Sequence, residues 1–225
     1  MRLILILFAL LVGFGSSHSL ASQGPLPPPA DFGNWIMYFG NKKFNDKWNL
    51  HHEIQYRNYN MFGDLEQLLI RTGVGYNLTP NNNNVLLGYG FVNTNTYDGF
   101  YYNTVLEHRI FQQFISNQRV NRMYIQHRYR VEERWVEEDF KMRFRYFIAL
   151  KMPLNNKVLT DKTAYLSAYS ETFLSTSGDR FDRNRVYGGL GFKFNKHIRT
   201  EVGLMSQLYS NRHRNQLNIF VFGSY

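Results

Sequence analysis

The 225 residues contain no cysteine. That excludes disulfide frameworks, thiolate metal sites and the lipidated cysteine of a bacterial lipoprotein. Proline is nearly absent too: of six in the chain, four fall in the stretch QGPLPPPADFG. Acidic residues are the minority sign, 17 against 26 Lys and Arg, for a formal net charge of +9. No long apolar run follows the first few residues, and no long segment has a 3.6-residue period, which argues against helical and α/β folds. The mean hydropathy of −0.42 reads as soluble. That reading is unsafe here, because membrane strands need only about 9–11 residues and their alternation halves the mean.

What is present begins with MRLILILFALLVGFGSSHSLAS. One cation, Arg2, precedes an apolar run from Leu3 to Phe14, and Ser19 and Ala21 follow at the spacing a signal peptidase prefers. Residues 1–21 are therefore expected to be a secretory signal, since the run falls short of the ~20 residues of a spanning helix. Residues 22–32 are expected to be an extended, proline-rich lead-in. Residues 33–225 are expected to form the folded unit.

That unit alternates. In DFKMRFRYFIALKMP, Phe140, Met142, Phe144, Tyr146, Ile148, Leu150 and Met152 take every second place, with Lys141, Arg143, Arg145 and Lys151 between them. In WNLHHEIQYR, Trp48, Leu50, His52, Ile54 and Tyr56 oppose Asn49, His51, Glu53, Gln55 and Arg57. A period of two means a strand between two unlike environments. Candidate strands fall near 34–42, 47–58, 66–78, 84–94, 101–113, 119–134, 138–152, 162–174, 184–194, 197–209 and 214–225. The fold class expected is all-β: an antiparallel transmembrane β-barrel of about twelve strands, with ten as the alternative, because single-chain bacterial barrels have even counts. Connections such as NKKFND, LTPNNNN, LNNKVLTD and FNKH are turn-like, and YNMFGDLE, NTNTYDGF and STSGDRFDRNR are more varied. This suggests short turns at one end and long loops at the other.

Alternation does not say which face points inward. The aromatic content of the apolar face does: Trp48, Tyr56, Tyr76 and Tyr146 lie toward strand ends or part-way along, as in the interfacial girdles of outer-membrane barrels. Leu217, Ile219 and Val221 alternate up to a final aromatic, Tyr225, the form of the C-terminal signal read by the barrel-assembly machinery. A strand of about 12 residues tilted by roughly 40° rises about 30 Å, enough to span an apolar band of about 25 Å. The expected location is the outer membrane of a Gram-negative bacterium, in contact with outer-membrane lipid and lipopolysaccharide.

The segments NWIMYFGNKKFNDKWNLHHEIQYR, HRYRVEER and FKMRFRYFIALKMPLNN occur in the order that resembles bacterial outer-membrane proteins grouped as domain of unknown function 2490. The resemblance covers about residues 31 to 225. It implies an outer-membrane β-barrel without an assigned activity, and no catalytic residues to carry over.

The strongest local chemistry is the alternation of Arg with Glu. Glu107, Arg109, Arg128, Arg130, Glu132, Arg143, Arg145 and Glu171, with Arg134, are expected to meet inside the barrel as an ion-pair network that fills it. The functional counterpart is a constriction that attracts a small anionic solute. A narrow pore and a plugged structural or adaptor barrel both fit this. The rival class is a lipid hydrolase using His52, His108 or His127, which fall on the apolar face; no nucleophile–base pair can be placed beside them, and Ser167 and Ser170 have no evident partner. Gly73 and Gly88, and Gly189 and Gly203, are expected to meet across hairpins. They would serve curvature or leave a side-chain-free groove for a ligand or for the proline-rich segment. His51 and Glu53 lack a third ligand, so neither metal nor cofactor is expected. The basic charge comes without an aromatic-basic nucleic-acid motif, so no nucleic-acid partner is expected. Arg180, Arg183, Arg185, Arg212, His213 and Arg214 are expected in outer loops facing lipopolysaccharide phosphates.

Overall fold

The computed structural model describes residues 32–61, 63–80, 82–97, 102–178 and 180–225. Eleven strands follow one another: β1 (Phe32–Lys43), β2 (Trp48–Asn58), β3 (Leu65–Asn77), β4 (Asn83–Tyr97), β5 (Tyr102–Val120), β6 (Met123–Val136), β7 (Asp139–Pro153), β8 (Thr163–Ser175), β9 (Phe181–Lys193), β10 (Ile198–Leu208) and β11 (His213–Ser224). Each pairs antiparallel with its neighbours in sequence, and β1 pairs with β11 to close a barrel. The signal and most of the lead-in expected over 1–32 lie outside the described residues.

The count falls between the ten and twelve expected, and its oddness has a geometric consequence. After ten reversals the eleventh strand runs in the same direction as the first. The closing pair is therefore parallel, from Phe32↔Asn215 to Asn41↔Ser224. Backbone bonds fasten this seam at its end, where Lys43 N–H donates to Tyr225 O at 2.8 Å and Tyr225 N–H to Asn41 O at 3.0 Å. No strand edge is left unpaired in the closed sheet.

Two expectations about strands and connections are corrected. The strands expected at 101–113 and 119–134 leave a gap that does not exist: β5 continues to Val120 and turns at Asn121, whose φ is +54°. Asn tolerates that left-handed backbone better than most residues, so the turn forms there and not at Ser116–Asn117. The division into a short-turn rim and a long-loop rim is also not seen. The connection of residues 154–162 sits on the rim that carries Tyr225, where only tight turns were expected, while β6 and β7 on the other rim are joined by Glu137 and Glu138 alone. Asn155 and Asn156 brace 154–162 through bonds to Ala164, Lys162 and Thr163, which lets a longer connection stay ordered.

The faces are inverted relative to a water-soluble barrel. Leu190, Leu87 and Leu204 point outward at 61%, 60% and 59% exposure, while Glu132 inside is 0% exposed. The hydrophobic cluster lies within the lumen. Trp35 and Met37 of β1, Tyr187 of β9, Met205 of β10 and Phe220 of β11 pack together, with Phe39, Tyr169 and Phe222 against them. Eleven strands at about 4.8 Å, tilted by roughly 40°, make a backbone cylinder about 22 Å across. β1, β11, β10 and β9 are neighbours in the barrel, so the hydrophobic cluster lines one arc of the bore; Lys151 of β7 reaches toward it, with Nζ 5.2 Å from the Phe222 ring.

The paired glycines make room for those rings. Gly73 stands opposite Gly88, and Gly203 opposite Gly189. A Cβ on Gly88 would lie 2.7 Å from Cε1 of Phe111, and one on Gly203 would lie 2.8 Å from Cε2 of Tyr187. The space beside these glycines is thus occupied by the protein's own aromatics. Gly88→Val should therefore overpack the lumen and cost about 1–3 kcal/mol, seen as a lower midpoint in chemical denaturation. An unchanged midpoint would show that Phe111 has room to move.

The charged lumen as candidate functional site

Inward positions from β2 to β10 hold most of the ionic groups, and register explains which of them meet. Arg130 stands directly across from Arg145, and Arg109 across from Arg134. Like charges so placed repel. A carboxylate on an adjacent inward position bridges each pair.

Glu132 is the centre. It lies across from Arg143, which donates to Oε2 from Nη2 at 2.6 Å and from Nε at 3.0 Å. Arg145 Nη1 donates to its other oxygen at 2.5 Å, and Arg130 Nη1 to the same oxygen at 3.4 Å. Glu171 is the second hub, accepting from Arg145 Nη2 at 2.6 Å and from Arg128 Nη2 at 2.7 Å. Arg145 therefore ties the two hubs together. Glu107 forms a separate clamp with Arg109 and Arg134, each through two nitrogens at 2.5–3.0 Å. Planar forks of this kind are the strong form of ion pairing and suit burial.

All eight residues singled out from the sequence thus point into the barrel. Glu132, Arg130, Arg143, Arg145, Glu171 and Arg128 form one connected group, and Glu107 with Arg109 forms another. Sequence reasoning left several partners out. Arg71 faces Glu53 at 3.6 Å, and Lys151 reaches Glu201 at 3.2 Å. Glu201 also accepts from Ser167 at 2.8 Å and Tyr165 at 3.0 Å, which gives Ser167 the partner that the sequence did not reveal. The signal for Arg57 and Glu53 was present, since both fall on the polar phase of their strand.

Carboxylates are too few for the arginines, and aromatic faces supply what they lack. The Arg57 and Arg185 guanidinium carbons lie 3.9 and 4.8 Å from the Trp35 ring. Arg145 and Arg185 both lie 4.6 Å from Phe173, Arg130 lies 4.5 Å from Phe111 and Arg128 lies 4.2 Å from Phe147. A cation held over a desolvated ring gains on the order of 2 kcal/mol.

The arginines expected in outer loops need correction. Arg183 and Arg185 belong to β9, and His213 and Arg214 to β11; only Arg180 and Arg212 lie in connections. Strand β9 begins at Phe181, so Arg183 and Arg185 continue the inward phase of Tyr187. Arg214 pairs with Glu66 at 2.8 Å and donates to the Tyr59 carbonyl at 3.0 Å.

The three outward histidines are each tied to tyrosine. Tyr38 Oη lies 3.3 Å from His52 Nε2, and His52 stacks on Tyr225 at 6.1 Å. His108 Nδ1 is 2.5 Å from Tyr89 Oη, and His127 Nδ1 is 2.9 Å from Tyr146 Oη. In each case the tyrosine hydroxyl partners one ring nitrogen of the histidine. Among the described residues no group of three or more His, Cys, Asp or Glu could hold a metal ion.

Fold and site together define a closed, inside-out β-barrel with an arginine–glutamate lumen. The chain belongs to the family described as a protein of unknown function, DUF2490, whose model matches residues 32–218. No curated protein and no solved structure matches the chain.

Glu132→Gln should cost about 3–5 kcal/mol, because it leaves Arg143 and Arg145 buried without their shared charge. Denaturant unfolding followed by tryptophan fluorescence measures it. A loss below about 1 kcal/mol would mean that the remaining carboxylates suffice.

Proposed function

We propose that this chain is an outer-membrane β-barrel of a Gram-negative bacterium, closed along its bore by its own side chains, and that it serves as a structural or adaptor barrel. One observation carries the reading: Leu190, Leu87 and Leu204 on the outer wall are about 60% exposed, while Glu132, Arg130 and Gln216 are buried inside. Water would penalise that outer surface and lipid would not.

Aromatic groups at both ends support it. Near the rim of Tyr225, Trp48 packs edge-on against Tyr76 at 4.9 Å, and Tyr38 bonds to Tyr225 through their hydroxyls. Near the other rim Trp135 packs on Phe140 at 5.3 Å. Rings with a polar tip favour the headgroup level. Export through the signal expected at 1–21, assembly aided by Tyr225 and contact of Arg180 and Arg212 with lipopolysaccharide phosphates all belong to this proposal. Side chains that meet across the bore, as Lys151 and Phe222 do, favour a plugged barrel over a pore.

The full chain expressed in a Gram-negative host should sediment with the outer-membrane fraction; recovery in the soluble periplasm would refute the proposal. Leu190→Arg, on the lipid side, should cost about 2–4 kcal/mol if it sits near the bilayer midplane. Refolding into vesicles and titrating denaturant reads that cost, and a neutral result would argue for a water-facing wall. In a planar bilayer the barrel should be silent. A steady, salt-dependent current would mean that the lumen is open.

A further inference from the structure

At the rim away from Tyr225, the lumen widens into a cavity of about 240 Å³. Eight arginines and a single glutamate, Glu107, line it. Thr96 and Val136 at strand ends mark its mouth, and Arg71 and Arg145 lie deeper in the bore. Two of its cations are poorly matched by carboxylates. Arg57 makes no ion pair among the described residues: it donates to Gln67 at 2.6 Å and to Gln55, both neutral. Arg185 donates to Gln207 at 2.9 Å, and its nearest carboxylate, Glu171, is 3.9 Å away. Arg71 is buried, and its Nε has no hydrogen-bond partner among the described residues. The other six arginines each have a carboxylate within 3.6 Å, Asp182 serving Arg183 and Arg143, so Arg57 and Arg185 are the cations in excess. Burying cations in excess is costly, and a cavity this size does not serve close packing.

The strand irregularities point to the same place. The sheet shifts register between Arg57 and Asn58, and again between Phe173 and Leu174. Arg57 and Phe173 both line the cavity. Such bulges re-aim side chains at sites where pairing is interrupted for a purpose.

We propose that this cavity is a binding site for a phosphate-bearing anion carrying two or more charges. Guanidinium forks match phosphate oxygens two by two, and Arg57 and Arg185 are both held against the Trp35 ring. The volume suits a group of diphosphate size and excludes a polymer. The phosphate can arrive on a soluble solute or on a lipid A headgroup. The inference rests on the lumen itself and not on the proposal of an outer-membrane location.

The test is calorimetric titration of the purified full chain in zwitterionic detergent with inorganic diphosphate, at ionic strength fixed with sodium chloride. Saturable binding is expected. Arg57→Gln and Arg185→Gln should each weaken it at least tenfold, measured on barrels that keep the parent's β-sheet circular dichroism. Arg57→Lys keeps the charge and loses the fork, so it covers the case in which a glutamine variant misfolds; it too should bind at least tenfold more weakly. Arg119→Gln, on the opposite rim, should bind as the parent does. Lipid A micelles and diphosphate are titrated in parallel. Binding of lipid A alone assigns the phosphate to a headgroup, and binding of diphosphate alone assigns it to a solute. Binding of neither, or equal diphosphate binding by parent, Arg57→Gln and Arg185→Gln, overturns the proposal.

Discussion

The rest of the structure depends on one constraint: arginines outnumber carboxylates inside a closed bore. Glu132 cannot satisfy Arg130, Arg143 and Arg145 unless β6 and β7 are in one register, because Glu132 must stand across from Arg143. A slip of β7 by one residue would turn Arg143 and Arg145 onto the apolar wall and away from Glu132. The ion pairs thereby act as register pins. Their net contribution to stability is smaller than their geometry suggests, because burying each charge costs much of what pairing returns. What they provide most clearly is intolerance of any alternative pairing.

Aromatic residues take part in the same constraint. Phe173 serves Arg143, Arg145 and Arg185, and Trp35 serves Arg57 and Arg185. The lumen is therefore neither an oily core nor a salt lattice. It is a layered arrangement in which rings separate cations that would otherwise touch. Glycines opposite those rings are part of the design, since Gly88 lets Phe111 lie flat across the bore. Toward the cavity end carboxylates become scarce, and there Arg57 and Arg185 keep rings and glutamines as their nearest partners.

The parallel seam follows from the odd strand number. Ten antiparallel pairs and one parallel pair use every edge, so the barrel has no strand left to aggregate. The parallel seam is weaker per residue than the others, and the backbone bonds between Lys43, Asn41 and Tyr225 hold its end.

Alternation made the strands legible, because side-chain period depends only on neighbouring backbone dihedrals. The same local signal placed Arg143, Arg145 and Glu132 on the polar phase and Phe144 on the other. It located the eleven strands to within a few residues, except where Asn121 moved a turn, since that depended on which residue would accept a positive φ. Length and sequence thus determined the elements and the two chemistries of their faces. Only the tertiary structure decided that β1 would meet β11 in parallel, and that Arg185 would leave its expected loop to stack on Trp35, 150 residues away in sequence. Those outcomes rest on contacts between distant strands, set by barrel diameter and register, and no local pattern encodes them.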